Sequence, residues 1–230
     1  MGKGNFKIFL SLAVFFLIGV FLRLEALDST IVNEWVLRDF DRAFNIFEGH
    51  YTPLAGPEIT NGGRLPGPFL YFLLSLPLLF YSSYDSLLIF AFVQNIASVV
   101  MLFFILKKYL GRNIALTSTI LLLINVPHIG SISFPINPSF LFLFIVLFIW
   151  FLLEFVLNRN PRAFPYIILI LSIAIQFHFS IVTYCLVPAA LAFIYRIKIP
   201  FKYLVISLLL ALISFSPYIL YKSQVFSGTP

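Results

Sequence analysis

Pro68-Phe69-Leu70-Tyr71-Phe72-Leu73-Leu74-Ser75-Leu76-Pro77-Leu78-Leu79-Phe80-Tyr81 is the segment on which the architecture turns. It is apolar, yet at about 1.5 Å per helical residue it is short for crossing a hydrocarbon core of about 30 Å. Pro77 interrupts it further, because proline has no backbone N–H and a fixed φ. If the segment crossed a membrane, the cluster Lys107, Lys108 and Arg112 would lie on the outer side and the later basic clusters would be inverted. If it lies along the outer interface, or dips and returns, every basic cluster falls on the inner side, as the positive-inside rule requires.

The flanking sequence supports the second arrangement. Hydrophobic residues make up 61% of the 230-residue chain and charged residues only 10%, and mean hydropathy is +1.02, outside the soluble globular range. An apolar run ends near Leu22, and others cover Ser86 to Leu106, Ile114 to Val126, Phe140 to Leu157, Phe164 to Phe177, Ile181 to Tyr195 and Tyr203 to Tyr221. With Lys3 and Lys7 holding the N-terminus in the cytoplasm, these make about seven crossings and leave the C-terminus outside. The first run follows a basic leader as a signal sequence would, but Arg23 and Glu25 stand where a small-residue cleavage site belongs, so it reads as a retained helix. The expected fold is an all-α polytopic membrane protein. It forms one transmembrane module over 1–230, with a long first outer loop, 23–84, that holds interfacial segments.

The formal net charge of +6 does not point to nucleic acid, since Lys and Arg gather in short clusters beside apolar spans, the pattern that orients membrane helices. A single cysteine, Cys185, excludes an intrachain disulfide. His50, His128 and His178 lack the spacing of a metal motif, so the sequence supports no metal site and implies no cofactor. Nucleophilic triads, phosphate-binding loops and dinucleotide fingerprints are absent as well.

Arg23 to Gly67 is the polar exception, with seven acids (Glu25, Asp28, Glu34, Asp39, Asp41, Glu48 and Glu58) against four arginines. Within it, Arg38-Asp39-Phe40-Asp41-Arg42 alternates charge. Arginine forks suit phosphate oxygens, and a carboxylate shielded from water has its pKa raised towards a range useful for base work. The plainer alternative is a solvated helix with local ion pairs worth little each. Gly56-Pro57 and Gly62-Gly63-Arg64-Leu65-Pro66-Gly67-Pro68 impose sharp turns and permit close backbone approach. In the expected topology Asp39, Asp41, Arg38, Arg42, His50, Arg64, His128, Asn137, Gln176 and His178 all fall at or near the outer surface. Polar groups at membrane depth are costly unless paired or facing water, which suggests a cavity there. Gln94 and Asn95, inside the second span, read as interhelical hydrogen-bonding residues.

The order of these parts resembles the C-type membrane glycosyltransferases, in particular the family 39-like group of protein O-mannosyltransferases and lipid A aminoarabinose transferases. The matching pieces are a first span, an acidic outer loop, Glu48-Gly49-His50-Tyr51-Thr52-Pro53-Leu54-Ala55-Gly56-Pro57, and Gly67-Pro68-Phe69-Leu70-Tyr71-Phe72-Leu73-Leu74. Pro135-Ile136-Asn137-Pro138-Ser139 is similar to the family's outer-loop Asn-Pro-Ser element, and Gln176-Phe177-His178 to its Gln-x-His helix end. The resemblance implies a polyprenyl-phosphate-linked sugar donor, a lipid, glycan or protein acceptor, a prokaryotic plasma membrane and an essential acid in the first outer loop. Asp39-Phe40-Asp41-Arg42 matches the family's Asp-x-x-Arg, at a shorter distance from Gly49 than usual. Asn33-Glu34 sits nearer the usual distance with Asn in place of Asp. Asp39 is the favoured base, with Asp41 and Glu34 as alternates. Arg38, Arg42, Arg64, Asn137, Gln176 and His178 are the expected substrate-binding residues. Relatives are commonly longer, so a truncated or minimal form is expected. The rival functions are a transporter or flippase, which would carry polar residues through the depth of the spans, and an accessory subunit without turnover.

Overall fold

The computed structural model describes residues 3–59 and 62–227, the side chains of 3–12 excepted. Met1, Pro230 and the side chains of Lys3 and Lys7, which enter the expected orientation, lie outside the described residues. The α-helices in chain order are α1 (Lys3–Asp28), α2 (Glu34–Phe47), α3 (Phe69–Ser75), α4 (Tyr84–Leu110), α5 (Arg112–Leu123), α6 (Val126–Ser133), α7 (Phe142–Leu157), α8 (Phe164–Ile175), α9 (Leu186–Ile194) and α10 (Phe201–Ser227). Among the described residues the only β pairing is an isolated bridge between Glu58 and Arg64. The chain forms two compact units: Met1–Val36 with Tyr84–Val146, and Leu37–Ser83 with Leu147–Pro230.

By length and composition Tyr84–Leu110, Asn137–Leu157 and Phe201–Ser227 can cross a membrane, and α5 with α6, bent by 45°, makes a fourth if the pair is one span. The chain is a multi-pass membrane protein. Among the described residues three or four helices or helix pairs meet that length, beside the about seven crossings expected from sequence. Phe69–Leu79, Pro161–Ile175 and Phe179–Ile194 are shorter apolar helices, because the chain breaks around them. α8 ends at Ile175, and Arg196, with φ of 52°, follows α9 in the left-handed region. Pro77 acts as its chemistry predicts: α3 stops at Ser75 and the residual turn, Pro77–Leu79, is a 3₁₀ helix.

The first unit is organised around a helix break. Pro127 has no N–H to offer the carbonyl of Leu123, four residues earlier, and in a membrane no water replaces it. Arg23 does: its Nη1 donates to Leu123 O at 2.8 Å and to Gly19 O at 2.8 Å, and its Nη2 donates to Leu122 O at 3.3 Å. Its Nε donates to Asn95 Oδ1 at 2.6 Å, and His128 Nδ1 lies 2.7 Å from Nη2. A cation is also well placed against the carbonyl end of α5. Asn95 in turn donates to His128 O at 2.7 Å, and Ser98 Oγ meets the other histidine nitrogen at 3.0 Å. Arg23 and His128 have no exposed surface. His128, expected beside an outer cavity, is thus a member of this internal network. Gln94, donating to Phe140 O, and Asn95 are interhelical bonds, as their places in the span suggest. Gly19 permits the close approach of α1 to α5, since a Cβ there would lie 2.5 Å from Leu123 Cδ2.

In the second unit α10 packs on α8 and carries Pro217 in its interior. The carbonyl that Pro217 leaves without its usual donor is that of Ile213. Ser216 Oγ donates to it at 2.8 Å.

Replacing Arg23 by methionine is expected to remove about 2–3 kcal/mol of stability, since the Leu123 carbonyl, Asn95 Oδ1 and His128 Nδ1 all lose a donor. Adding Pro127→Ala restores an N–H for Leu123 O, so the double variant should unfold at a higher temperature in detergent than Arg23→Met alone.

Candidate active site

α2 is built as an amphipathic surface helix with one departure. Asn33 opens it, its Oδ1 accepting from Val36 N at 3.0 Å, and Glu34 sits in the first turn where the helix dipole favours an anion. The buried positions are Val36, Asp39, Phe40 and Ala43, the i, i+3, i+4, i+7 stripe that an amphipathic helix turns to its core. An acid therefore occupies a core position. The geometry separates the three acids considered from sequence: Asp39 is 2% exposed, whereas Asp41 and Glu34 are exposed.

The carboxyl of Asp39 is held asymmetrically. Arg38 donates from Nε at 2.9 Å and from Nη2 at 2.7 Å, and both bonds end on Oδ1. Oδ2 is buried with no hydrogen-bond partner. A buried carboxylate oxygen normally has its donors, so one left open is a feature of use. Burial raises the Asp39 pKa to about 6, and the nearby charge and hydrogen bonds of Arg38 oppose that rise without cancelling it. One oxygen is thus fixed by Arg38, and the other is buried with its lone pairs unused.

Arg38 is the arginine bonded to this carboxyl, and Arg42 and Arg64 lie close enough to act with it on Tyr71. Arg38 Nη1 reaches the carbonyl of Glu58 at 3.4 Å, and Arg64 pairs with the Glu58 side chain. Glu58 and Arg64 face each other across a turn closed by Gly56 N to Leu65 O at 3.0 Å and Leu65 N to Pro57 O at 2.9 Å. The Arg42 guanidinium lies 5.0 Å from the centre of the Tyr51 ring. Tyr71 of α3 feels all of them: its hydroxyl is pushed above its ordinary pKa by burial and by Asp39, against the opposing pull of Arg38, Arg42 and Arg64. Tyr71 is 2% exposed. It is the site residue that sequence reading missed. Its signal was a phenol buried in the otherwise apolar run that opens α3.

α3 is positioned by Gln176. The Gln176 Oε1 accepts from Phe69 N at 3.1 Å, and its Nε2 donates to Ser214 O at 3.1 Å and Ser214 Oγ at 2.8 Å. Gln176, read from sequence as substrate-binding, here spends its amide on protein groups of α3 and α10. Beside it Gly67 has φ of +134°, and a Cβ there would overlap Gln176 Oε1, with Gln176 Cγ at 3.0 Å. Only glycine meets both conditions. An apolar groove of about 300 Å³ runs beside this corner, lined by Phe69, Phe72, Ile173, Ile213 and Pro217 among others.

The remaining expected residues stand elsewhere. His178 is exposed and caps a 3₁₀ turn, its Nδ1 2.6 Å from Ser180 Oγ. Asn137 begins the 3₁₀ turn Asn137–Leu141 and belongs to the other unit. Among the described residues no three His, Cys, Asp or Glu side chains come together as metal ligands.

Gly67→Ala is expected to lower the unfolding temperature by forcing Gln176 from its bonds. In a double-mutant cycle with Gln176→Ala the two losses should be less than additive, since the second change removes the clash and leaves only the backbone strain.

No curated protein and no solved structure matches the chain. One family does: dolichyl-phosphate-mannose-protein mannosyltransferase, over residues 66–221. The matched region takes in Gly67, Tyr71, Asn137, Gln176 and His178 and begins after α2, so Asp39 lies outside it. With more than half of its length matched, and with spans and apolar helices in keeping, this chain belongs to the dolichyl-phosphate-mannose-protein mannosyltransferase family of membrane glycosyltransferases.

Proposed function

We propose that the protein transfers a sugar from a polyprenyl-phosphate-linked donor to an acceptor at the outer face of the plasma membrane, with Asp39 as general base. The observation that carries this reading is the buried carboxyl of Asp39, clamped by Arg38 through one oxygen and without a hydrogen-bond partner at the other. A base must be fixed in orientation and have a lone pair to spare, and its pKa must lie near the working pH. Asp39 meets each requirement.

In this mechanism Asp39 Oδ2 takes the proton of an acceptor hydroxyl as that oxygen attacks the anomeric carbon of the donor. The bond from this carbon to the phosphate oxygen breaks, and polyprenyl phosphate leaves with the electron pair. Arg42 and Arg64 meet the charge on the departing phosphate, the guanidinium fork being suited to phosphate oxygens. The Tyr71 hydroxyl, held protonated, donates a hydrogen bond to a phosphate or sugar oxygen. The apolar groove bordered by Phe69 and Phe72 takes the first part of the isoprenoid tail. The acceptor is a lipid, a glycan or a protein. In this reading the chain crosses about seven times, the short apolar helices Pro161–Ile175 and Phe179–Ile194 each counting as one crossing, and the loop that holds α2 lies outside.

The test is turnover of a panel of polyprenyl-phosphate sugars by the purified protein. Asp39→Asn should lower transfer by about 10²-fold or more, while Asp41→Asn and Glu34→Gln should stay within a few-fold of the parent. Transfer intact in Asp39→Asn removes the base assignment. No turnover of any donor by folded protein favours the accessory-subunit reading. Because the base is active without its proton, the acid limb of the rate profile should fall as pH drops through about 6, well above the ordinary aspartate range.

A further inference from the structure

We propose that the first unit carries a separate site for an anionic phospholipid, where an apolar cavity between α1, α4 and α5 ends at Lys107 and Arg112. The cavity measures about 560 Å³ and is lined by Phe16, Val99, Val100, Phe103 and Leu123, with Lys107, Arg112 and Thr119 as its polar members. That volume lies within the range of sites that enclose small organic ligands.

Its shape and chemistry match one lipid of one leaflet. From Arg112 to Leu123, α5 runs about 16 Å along its axis, half of a hydrocarbon core of about 30 Å. The polar end is the turn at Gly111, where α4 has finished with Lys107 and Lys108 and α5 begins. Such a turn lies at an interface because α4 is itself a candidate span. The Lys107 ammonium stands over the Phe103 ring, 5.8 Å from its centre, so the charge sits above the apolar lining. Gly111, with φ of 90°, gives the first amides of α5 no side-chain cap, an arrangement receptive to a phosphate. The sequence has no acid between Asp85 and Glu154, so this end of the unit is net positive.

Thr119 supplies the independent observation. It is 6% exposed and lines the cavity, and its Oγ1 has no hydrogen-bond partner. A buried hydroxyl wants an acceptor, and neighbouring alkyl and phenyl side chains provide none. A glycerophospholipid brings one as an ester carbonyl beneath its phosphate. In this assignment an acyl chain lies along Val99, Val100 and Leu123, the ester faces Thr119, and the phosphate meets Lys107 and Arg112. The site uses no residue of the proposed sugar-transfer centre.

Native mass spectrometry of the purified full chain in detergent, titrated with phosphatidylglycerol and with phosphatidylcholine, tests the assignment. Phosphatidylglycerol should bind at least tenfold more tightly. Lys107→Gln and Arg112→Gln, both at exposed positions, should each weaken it by about fivefold. Val100→Trp, which fills the cavity from its rim, should displace both lipids. Equal affinity for the two lipids, or selectivity that survives loss of both charges, overturns the proposal. So does polyprenyl phosphate displacing phosphatidylglycerol from the parent protein at equal concentration, which would make the cavity a donor path.

Discussion

A bilayer interior supplies no hydrogen bonds, so a helix can break there only where a side chain takes over the backbone group that the break exposes. Pro127 in one unit and Pro217 in the other each leave a helix carbonyl without its usual donor. At Pro127 the substitute donor comes from another helix: Arg23 reaches the Leu123 carbonyl and joins α1, α4 and α6 through Asn95 and His128. At Pro217 it is local, Ser216 bonding back to Ile213, while Gln176 takes the neighbouring Ser214 carbonyl and extends the repair to the start of α3. These bonds tie α6 to α1 and α4 in one unit and the start of α3 to α10 in the other.

The second determinant is a contest between desolvation and Coulomb attraction at Asp39. Arg38 donates two hydrogen bonds to the carboxyl, an arrangement that at a surface would hold an aspartate well below neutrality. Burial outweighs it because the stripe of α2 that contains Asp39 faces the interior. Had the same acid stood at position 41, on the solvent face, the arginines would make an ordinary surface cluster. Two residues of register, about half a turn of an amphipathic helix, separate a solvated anion from a candidate base.

Local chemistry was legible from the chain alone. The break at Pro77, the span over Ser86 to Leu106, and the last apolar run are all present as helices, extended to Tyr84–Leu110 in the one case and Phe201–Ser227 in the other. The preference for Asp39 over its neighbours rested on motif, and the structure adds a physical distinction, burial, that spacing along a loop did not reveal. What was not legible is non-local. Arg23 passed as a blocker of a cleavage site because its partners Asn95, Leu123 and His128 lie 72 to 105 residues away. Tyr71 was hidden in an apolar run because nothing in its own neighbourhood indicates that Asp39 and three arginines act on its hydroxyl. Pro161–Ile175 and Phe179–Ile194 have the composition of spans but not the length, so hydropathy by itself does not decide whether they cross.

The corner at Gly67 bears on how such a chain can change over time. Its backbone conformation admits little but glycine, and the space where a side chain would begin is filled by the Gln176 amide, which in turn fastens Phe69 and Ser214. A mutation at either position is therefore penalised until the other has moved. Neither ordering of the two steps is free, since losing the amide first unfastens α3 and gaining a methyl first evicts the amide. Evolution meets a pair of residues more than a hundred positions apart as a single locus, and drift at this corner is confined to lineages that cross the intermediate quickly.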